Sequence, residues 1–211
     1  ISMEDNENVP RSQLIYLDFI IQNIDEPPTF LSTIDFNQSA PENQTQAAAL
    51  SAQDPEGATT FYWEIVYGYD SNKFVLSDTN GSSTNLLFTV PPNFEAPLDE
   101  ATYGDKNNTY VVQVKVSDAS SGGKSTTQLF VITVTDVNDA PLIVPTPLTI
   151  DEPLRTNAML DLSQYASDED NQSGAGPDNL SWVEISGDTT TFALDLNGTL
   201  RFNQDSDYET D

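Results

Sequence analysis

The sequence contains no cysteine and no histidine, and only 7 of its 211 residues are lysine or arginine. Without cysteine no disulfide can stiffen the fold, and without either residue the common transition-metal sites and nucleophile–base pairs are nearly excluded. With 34 Asp and Glu residues, the formal net charge is −27. Such a charge disfavours nucleic acid and anionic membranes as partners, and it destabilises the compact state unless cations neutralise it.

The sequence also lacks a signal peptide and a long apolar run, so we expect no membrane insertion. Hydrophobic residues nevertheless make up 37% of the chain and aromatic residues 9%, in periodic runs, which is typical of a folded protein. The length predicts one or two domains. Because residue 1 is isoleucine, we expect the chain to be a piece of a longer protein.

The most informative segment is Thr135–Leu142, which reads TDVNDAPL. Asp136, Asn138 and Asp139 directly follow an alternating apolar run, and because Asp and Asn are rare in strands, they mark the end of one. Pro141 makes the segment a stiff connector. Carboxylate and amide oxygens are the ligands that Ca²⁺ prefers, although an isolated acidic patch of this kind is more often a solvated surface loop.

This segment has a counterpart near the amino terminus, which indicates an internal repeat. Gln13–Pro28 and Thr127–Pro141 each run from alternating apolar residues into an acidic connector and then proline, about 114 residues apart. Asp25 falls on Asp139, or Glu26 does, depending on where the proline gap is placed. Further ordered matches are Asn93-Phe94-Glu95 with Asp207-Tyr208-Glu209, the runs around Trp63 and Trp182, and Asn80-Gly81 with Asn197-Gly198.

Short apolar runs between turn residues, without helical periodicity, predict an all-β fold of immunoglobulin-like sandwiches. Both Asn-Gly pairs are predicted as two-residue hairpin turns with positive φ at both residues. Trp63 and Trp182 are predicted in the cores. The seven strands predicted for the central repeat are Thr29–Phe36, Ala47–Ala52, Phe61–Val66, Phe74–Leu76, Leu86–Val90, Thr109–Ser117 and Gln128–Thr135.

The repeat divides the chain into three predicted parts. Residues 1–26 would be the last strand (about Arg11–Ile24) and the linker of a preceding repeat, and residues 27–139 a complete repeat. Residues 140–211 would be a repeat that stops before its last two strands. We expect the uncut parent chain, or a neighbouring copy, to supply the missing parts.

These motifs resemble those of cadherin repeats, in the form found in large bacterial surface proteins. The resemblance covers nearly the whole chain, and it implies tandem Greek-key β-sandwiches with Ca²⁺ bound between successive repeats. The matching motifs are Pro41-Glu42-Asn43, Asp54-Pro55-Glu56-Gly57, Asn93-Phe94-Glu95, Ser117-Asp118-Ala119 and the linker from Asp136 to Pro141.

The resemblance also implies three sets of metal ligands, one at each junction between repeats. The ligands of the middle junction would be Glu42, Glu95, Asp136, Asn138 and Asp139 from the complete repeat, with Asp168 and Asp170 from the next. Those of the first junction would be Asn23, Asp25, Glu26, Asp54, Glu56 and Asp118, and those of the last Glu152, Asp207 and Glu209. Departures from the family pattern at Glu56, Asn93, the motif around Glu152 and the first linker are expected to weaken individual ligands without abolishing a site.

The resemblance implies a non-enzymatic, Ca²⁺-rigidified stalk segment of an extracellular cell-surface adhesin. Its partners would be neighbouring repeats of the same or an identical chain, and a cell-surface glycan or protein. An enzyme is least expected, because the acid pair Asp168 and Asp170 falls on the predicted linker face, where no substrate cleft is expected.

Two alternatives stay open. In the first, the chain is a filament subunit whose amino-terminal strand completes the truncated repeat of the next copy, with Leu14, Tyr16, Phe19 and Ile21 inserted. In the second, it is a carbohydrate-binding module that uses Tyr62, Trp63, Tyr67 or Tyr69 together with Ca²⁺.

Overall fold

The computed structural model describes residues 2–4, 12–14, 16–31, 36–100, 106–119, 122–144, 159–170, 180–184, 186–187 and 190–205. The described residues form sixteen strands and two short 3₁₀ helices, Ser71–Lys73 and Ser163–Tyr165. The strands are β1 Ser2–Glu4, β2 Ser12–Leu14, β3 Thr29–Phe30, β4 Asn37–Pro41, β5 Gln46–Gln53, β6 Phe61–Tyr67, β7 Phe74–Leu76, β8 Asn80–Gly81, β9 Ser83–Phe88, β10 Thr109–Ser117, β11 Ser125–Thr135, β12 Leu142–Ile143, β13 Met159–Asp161, β14 Ala166–Ser167, β15 Phe192–Leu194 and β16 Thr199–Phe202. Within these ranges, no helix has the length and apolar character that a membrane span requires.

The part of the chain predicted as the central repeat forms a sandwich of two sheets, with strand orders β4-β11-β10-β6-β8 and β3-β5-β9-β7. Strand β10 shows why these residues form it, because Val112, Val114 and Val116 alternate with half-buried residues and are themselves fully buried. Burying each valine contributes about 1.5–3 kcal/mol. The core also holds Phe30, whose ring meets that of Phe130 edge-on at 5.5 Å. The predicted all-β sandwich is therefore confirmed.

The predicted strands agree with the structure where apolar residues alternate. Phe74–Leu76 and Thr109–Ser117 begin and end as predicted, whereas Leu86–Val90 is shifted to Ser83–Phe88. Of Thr29–Phe36, only Thr29–Phe30 forms a strand, and residues 32–35 lie outside the described ranges. Strand β4 was not predicted, because its sequence NQSAP has no alternation of apolar residues. This strand forms through parallel pairing with the end of β11.

The predicted amino-terminal strand over Arg11–Ile24 is found only in part. Ser12–Leu14 pairs with Ser2–Glu4, and residues 16–28 form no strand. A strand needs a ladder partner, and none of the described residues pairs with this segment. Residues 16–27 are instead exposed.

The two Asn-Gly pairs do not form the predicted turns. Asn80–Gly81 is strand β8, which pairs with the start of β6, and of the two residues only Gly81 has a positive φ, of 142°. Asn197 and Gly198 do lie in the hairpin between β15 and β16, but there only Gly198 has a positive φ. The N–H of Asp195 donates to the carbonyl of Thr199 and closes the hairpin around residues 196–198, so the connection is a three-residue loop and not a two-residue turn.

The two tryptophans differ in burial. Trp63 is buried as predicted, and its Nε1 donates to the carbonyl of Gly81 at 3.0 Å. Trp182 is only half-buried, which corrects the prediction that it lies in a core. It lines an apolar groove of about 250 Å³ together with Pro141 and Ile143. The described residues of the second repeat therefore form a smaller core than those of the central repeat. In it Phe202 is buried, and its ring centroid lies 5.1 Å from that of Phe192.

Two buried carboxylates hold the loop between β9 and β10, which includes the predicted ligand Glu95. Both oxygens of Asp70 accept backbone hydrogen bonds, from Glu100 at 2.5 Å and from Val111 at 2.6 Å. Asp99 accepts two more, from Asn107 at 3.1 Å and Asn108 at 3.2 Å. Asp70 thus attaches the second half of the loop and the start of β10 to the segment before β7, and Asp99 joins the loop to its own end before β10.

We expect the substitution Asp70→Asn to destabilise the protein by about 1–3 kcal/mol, because an amide leaves one backbone N–H without an acceptor. Burial, with smaller contributions from Asp99 and Glu100, raises the pKa of Asp70 above its ordinary value of 3.8. The folded state therefore holds this proton more tightly than the unfolded state. The resulting contribution to stability is complete below pH 3.8 and is lost as the pH rises through the folded pKa.

Urea unfolding of wild type and Asp70→Asn across that pH range would measure both effects, with the exposed Asp78→Asn as the control. The stability of wild type relative to the variant should fall as the pH rises. A difference that does not change with pH would contradict the expectation.

Candidate metal centre

Glu42 is the organising residue of the middle junction. Glu42 directly follows β4 and is only 2% exposed. Strand β4 lies along the end of β11, and the N–H of Glu42 continues this pairing by donating to the carbonyl of Thr135 at 3.1 Å. Its Oε2 accepts the N–H of Phe94 at 2.7 Å, and its Oε1 accepts the N–H of Val137 at 2.9 Å. One buried carboxylate therefore joins the loop that contains Glu95 to the linker after β11.

Carboxylates from three segments meet at this point. Ligand atoms of Glu42, Glu95 and Asp136 lie within 4.8 Å of one another. From the second repeat, Asp170 accepts the N–H of Asp139 at 2.7 Å, and its own N–H donates to Asp168 at 3.1 Å. The structure thus brings together six of the seven residues predicted for this junction.

The seventh residue, Asn138, is exposed, and its side-chain amide donates to the carbonyl of Asp139 at 3.1 Å. Asn43, which follows Glu42 in the chain, makes a hydrogen bond that the sequence did not predict. It has a φ of 63°, and its side-chain amide donates to Asp139 Oδ1 at 2.9 Å. This bond orients the carboxylate of Asp139 toward the cluster.

The electrostatics of the cluster disfavour its charged form. Burial, followed by the charges of Glu42, Asp136 and Asp170, raises the pKa of Glu95. Loss of hydration, followed by the charge of Asp170, raises the pKa of Asp136. Like charges about 4 Å apart repel by roughly 1–4 kcal/mol in water or near a protein surface. The three ion pairs among the described residues involve other carboxylates, namely Glu64, Glu100 and Asp195.

Several carboxylate oxygens of the predicted ligands have no hydrogen-bond partner. Among the described residues, four side-chain atoms are buried without one: Glu95 Oε2, Asp170 Oδ1, Asp118 Oδ2 and Asn108 Oδ1. Three of the four belong to residues predicted as ligands. A buried acceptor without a donor costs about 1–3 kcal/mol. Hard anionic oxygens in this state fit a cation such as Ca²⁺.

The first junction repeats this geometry. The N–H of Glu26 donates to Glu56 Oε2 at 3.2 Å. At the middle junction, the N–H of Asp139 donates to Asp170 Oδ2 in the same way. The side-chain amide of Asn23 donates to Glu56 Oε1 at 3.2 Å. Glu26 therefore occupies the position of Asp139, and Asn23 that of Asp136. These contacts decide the alignment that the sequence left open.

The remaining members of the first set are also placed. Asp54 lies beside Glu56, whose N–H it accepts at 2.8 Å, and Asp118 is half-buried at the end of β10. Asp25 is exposed in the linker. Glu152, Asp207 and Glu209, predicted for the last junction, lie outside the described residues.

One acidic residue close to the carboxylates of the middle junction, Glu169, was not among the predicted ligands. Ligand atoms of Glu95, Asp139 and Glu169 lie within 4.8 Å of one another. Glu169 also accepts the side-chain amide of Asn93 at 2.6 Å. The available signal was its position between the predicted ligands Asp168 and Asp170.

The residues of the two alternative functions are placed differently. Tyr16, Phe19 and Ile21 are exposed, but Ile20 between them is exposed as well, so no single inserted face is defined. Trp63 is buried and cannot stack on a sugar, which corrects its place in the carbohydrate-binding alternative. Tyr67 and Tyr69 are exposed, with ring centroids 6.5 Å apart.

Comparison with known proteins shows the fold. No protein-family model matches the chain, and no curated protein matches it. Among solved structures, human Protocadherin-24 EC1-2 matches with a TM-score of 0.52 and 19% identity, over 89% of this chain and 82% of that one. Human CDH23 EC21-23 matches with a TM-score of 0.50 and 18% identity, over 88% of this chain and 56% of that one. The chain thus spans about half of the CDH23 structure, and it has a cadherin-like all-β fold, as the motifs predicted.

Proposed function

We propose that this cadherin-like chain is a Ca²⁺-rigidified segment of an extracellular adhesive stalk. The observation that supports it best is that Glu95, Asp118 and Asp170, all predicted ligands, each bury a carboxylate oxygen without a hydrogen-bond partner. Their residue types fit Ca²⁺, which takes six to eight oxygen ligands in a flexible arrangement. Mg²⁺ fits less well because it demands a near-ideal octahedron and keeps several waters.

At the middle junction, the protein ligands would come from both repeats. Bound Ca²⁺ would supply the positive charge that the cluster lacks and would join the two repeats through shared oxygen ligands. The proposed ligands are Glu42, Glu95, Asp136, Asn138 and Asp139 with Asp168 and Asp170 at the middle junction, Asn23, Asp25, Glu26, Asp54, Glu56 and Asp118 at the first, and Glu152, Asp207 and Glu209 at the last.

The residues themselves would determine the stiffness of the junction. Glu42 fixes the linker to the first repeat through the N–H of Val137, and Asp170 attaches the second repeat through the N–H of Asp139. Without cations, repulsion among Glu95, Asp136 and Asp170 opposes these two contacts. Neutralising the charge removes that repulsion and leaves the two repeats aligned.

The same contacts favour a mechanical role over catalysis. Asp168 and Asp170 accept backbone hydrogen bonds at the junction, from Asp170 and Asp139 respectively, and so act as structural acceptors there. Ca²⁺ modules outside the cell bind with Kd values of about 10⁻⁴–10⁻³ M, which suits an extracellular location. The proposed partners are neighbouring repeats of the same or an identical chain, and a glycan or protein on another surface.

Small-angle X-ray scattering tests the proposal directly. We expect the maximum dimension to increase when EDTA is replaced by millimolar Ca²⁺, because neutralised junctions hold the repeats in line. NaCl at matched ionic strength is the control, since any salt screens exposed charges. Equal maximum dimensions with EDTA and with Ca²⁺ would show that Ca²⁺ does not stiffen the chain.

A further inference from the structure

Strand β6 contains a β-bulge that turns the side chain of Tyr67 to the outer face of its sheet. Phe61 and Trp63 are buried, and continuing their alternation along the strand would bury Tyr67 as well. The register with β10 shifts after Ile65, so that Tyr67 lies opposite Gln113, which faces outward between two fully buried valines. Tyr67 is consequently 64% exposed. Bulges often re-aim a side chain next to a functional site, which makes Tyr67 a candidate binding residue.

A second tyrosine is held beside the first by the backbone around it. Gly68 has a φ of 134°, and a Cβ atom there would meet the carbonyl oxygen of Val111 at 2.5 Å, so this position requires glycine. The N–H of Asp70 donates to the same carbonyl at 3.1 Å. Tyr69, between these two fixed residues, is exposed, and its ring centroid lies 6.5 Å from that of Tyr67 at an angle of 55°. The two rings thus form an open, preorganised aromatic surface.

The sheet face that carries these rings is nearly uncharged. Along strands β4, β6, β10 and β11, the outward side chains include only two charged residues, Glu64 and Lys115, and these two form an ion pair. Tyr67, Gln113 and Leu129 lie side by side in one row across the sheet, so a neutral amide adjoins the aromatic surface. In a chain with a net charge of −27, a face without net charge fits an uncharged ligand.

We propose that Tyr67 and Tyr69, together with Gln113, bind a neutral glycan on the outer face of this sheet. A sugar ring has an apolar C–H face that stacks on a tyrosine ring, and its hydroxyl groups pair with an amide that both donates and accepts. Tyr62, also exposed, lies roughly 15 Å from Tyr67 along β6 and extends the surface for a longer glycan chain. The inference rests on the proposed function, which places the chain outside the cell.

The composition of the face favours a glycan over a protein partner. On β10 and β11, Leu129 is the only large apolar side chain that is exposed, and the exposed residues on either side of it in the same row of β11 are Thr127 and Thr133. A stable protein interface needs a contiguous apolar centre, which these strands do not offer. An acidic glycan is disfavoured because the whole chain repels anions.

Affinity electrophoresis of the full chain tests the proposal, in native gels with and without a dissolved polysaccharide. The probes are the neutral polysaccharides hydroxyethyl cellulose, laminarin and galactomannan, with the anionic polysaccharide alginate as the charge control. We expect at least one neutral polysaccharide to retard wild type, and alginate not to retard it. Tyr67→Ala and Tyr69→Ala should each weaken that binding about tenfold, because a stacking ring at the centre of the surface is lost.

Tyr16→Ala is the matched control, because Tyr16 is exposed but lies outside the sheet. This variant should bind as wild type does. Tyr67→Phe keeps the aromatic ring and should retain most of the binding. Circular dichroism checks that each variant is folded.

The outcomes separate this inference from the proposed function. If no neutral polysaccharide retards wild type, or if both alanine variants bind as wild type does, the assignment of a glycan site is wrong, while Ca²⁺ can still stiffen the chain in the scattering experiment. Equal retardation by alginate would contradict an uncharged ligand. Equal maximum dimensions with EDTA and with Ca²⁺ would contradict the stalk and leave the measured glycan binding as it is.

Discussion

Calcium should stabilise the folded chain by about 2.7 kcal/mol for each independent ion, when free Ca²⁺ is about 100-fold above its Kd. The reason is that the unfolded chain cannot bring distant carboxylates such as Glu42, Glu95 and Asp136 within 4.8 Å of one another, whereas the folded chain does. Binding to the folded state alone raises the free energy of unfolding. At a Kd of about 10⁻⁴ M, this condition is met at about 10 mM Ca²⁺.

Urea unfolding in EDTA and in CaCl₂ measures this effect. Two controls are needed, because a net charge of −27 makes the fold sensitive to any salt. NaCl at equal ionic strength corrects for screening, and MgCl₂ tests the preference for a larger ion with more ligands. Stabilisation by NaCl as large as that by CaCl₂ would mean that charge screening, and not site binding, is responsible.

Replacing Asp170 by asparagine should have opposite effects with and without metal. In EDTA we expect Asp170→Asn to be more stable than wild type by about 1–3 kcal/mol, because the buried Oδ1 without a partner can be replaced by an N–H donor. The remaining oxygen still accepts the N–H of Asp139. The substitution also removes a charge that raises the pKa values of Glu95 and Asp136. In Ca²⁺ the variant should be the less stable protein, since the middle junction has lost a ligand.

Glu42→Gln is the matched comparison, because Glu42 is also a buried predicted ligand but has both oxygens hydrogen-bonded. An amide there leaves the N–H of Phe94 or Val137 without an acceptor, so in EDTA this variant should gain less stability than Asp170→Asn or lose stability. Both variants should respond less to Ca²⁺ than wild type. If Asp170→Asn were the less stable of the two in EDTA, the unsatisfied oxygen would not be the dominant effect at this position.

Local pattern was enough to predict β10, because one face of this strand is buried along its whole length. Val112, Val114 and Val116 alternate in the sequence as they do in the core, so β10 could be predicted to the residue. Strand β4 could not, because its NQSAP sequence is held by parallel pairing with residues 131–135, far along the chain. The same applies to Asn80–Gly81, a dipeptide that commonly forms turns but that here pairs with β6.

The candidate site, like the fold, was predicted from the sequence only in part. The sequence by itself determined the all-β class and the residue types of the predicted ligands, because periodicity and composition are local properties of the chain. Only the tertiary structure decided that Glu26 takes the place of Asp139, that Glu169 joins the cluster, and that Asp170 buries an oxygen without a partner. These facts depend on contacts between residues about 30 to 75 positions apart, which are set by how the sandwiches pack and how the linkers lie across them.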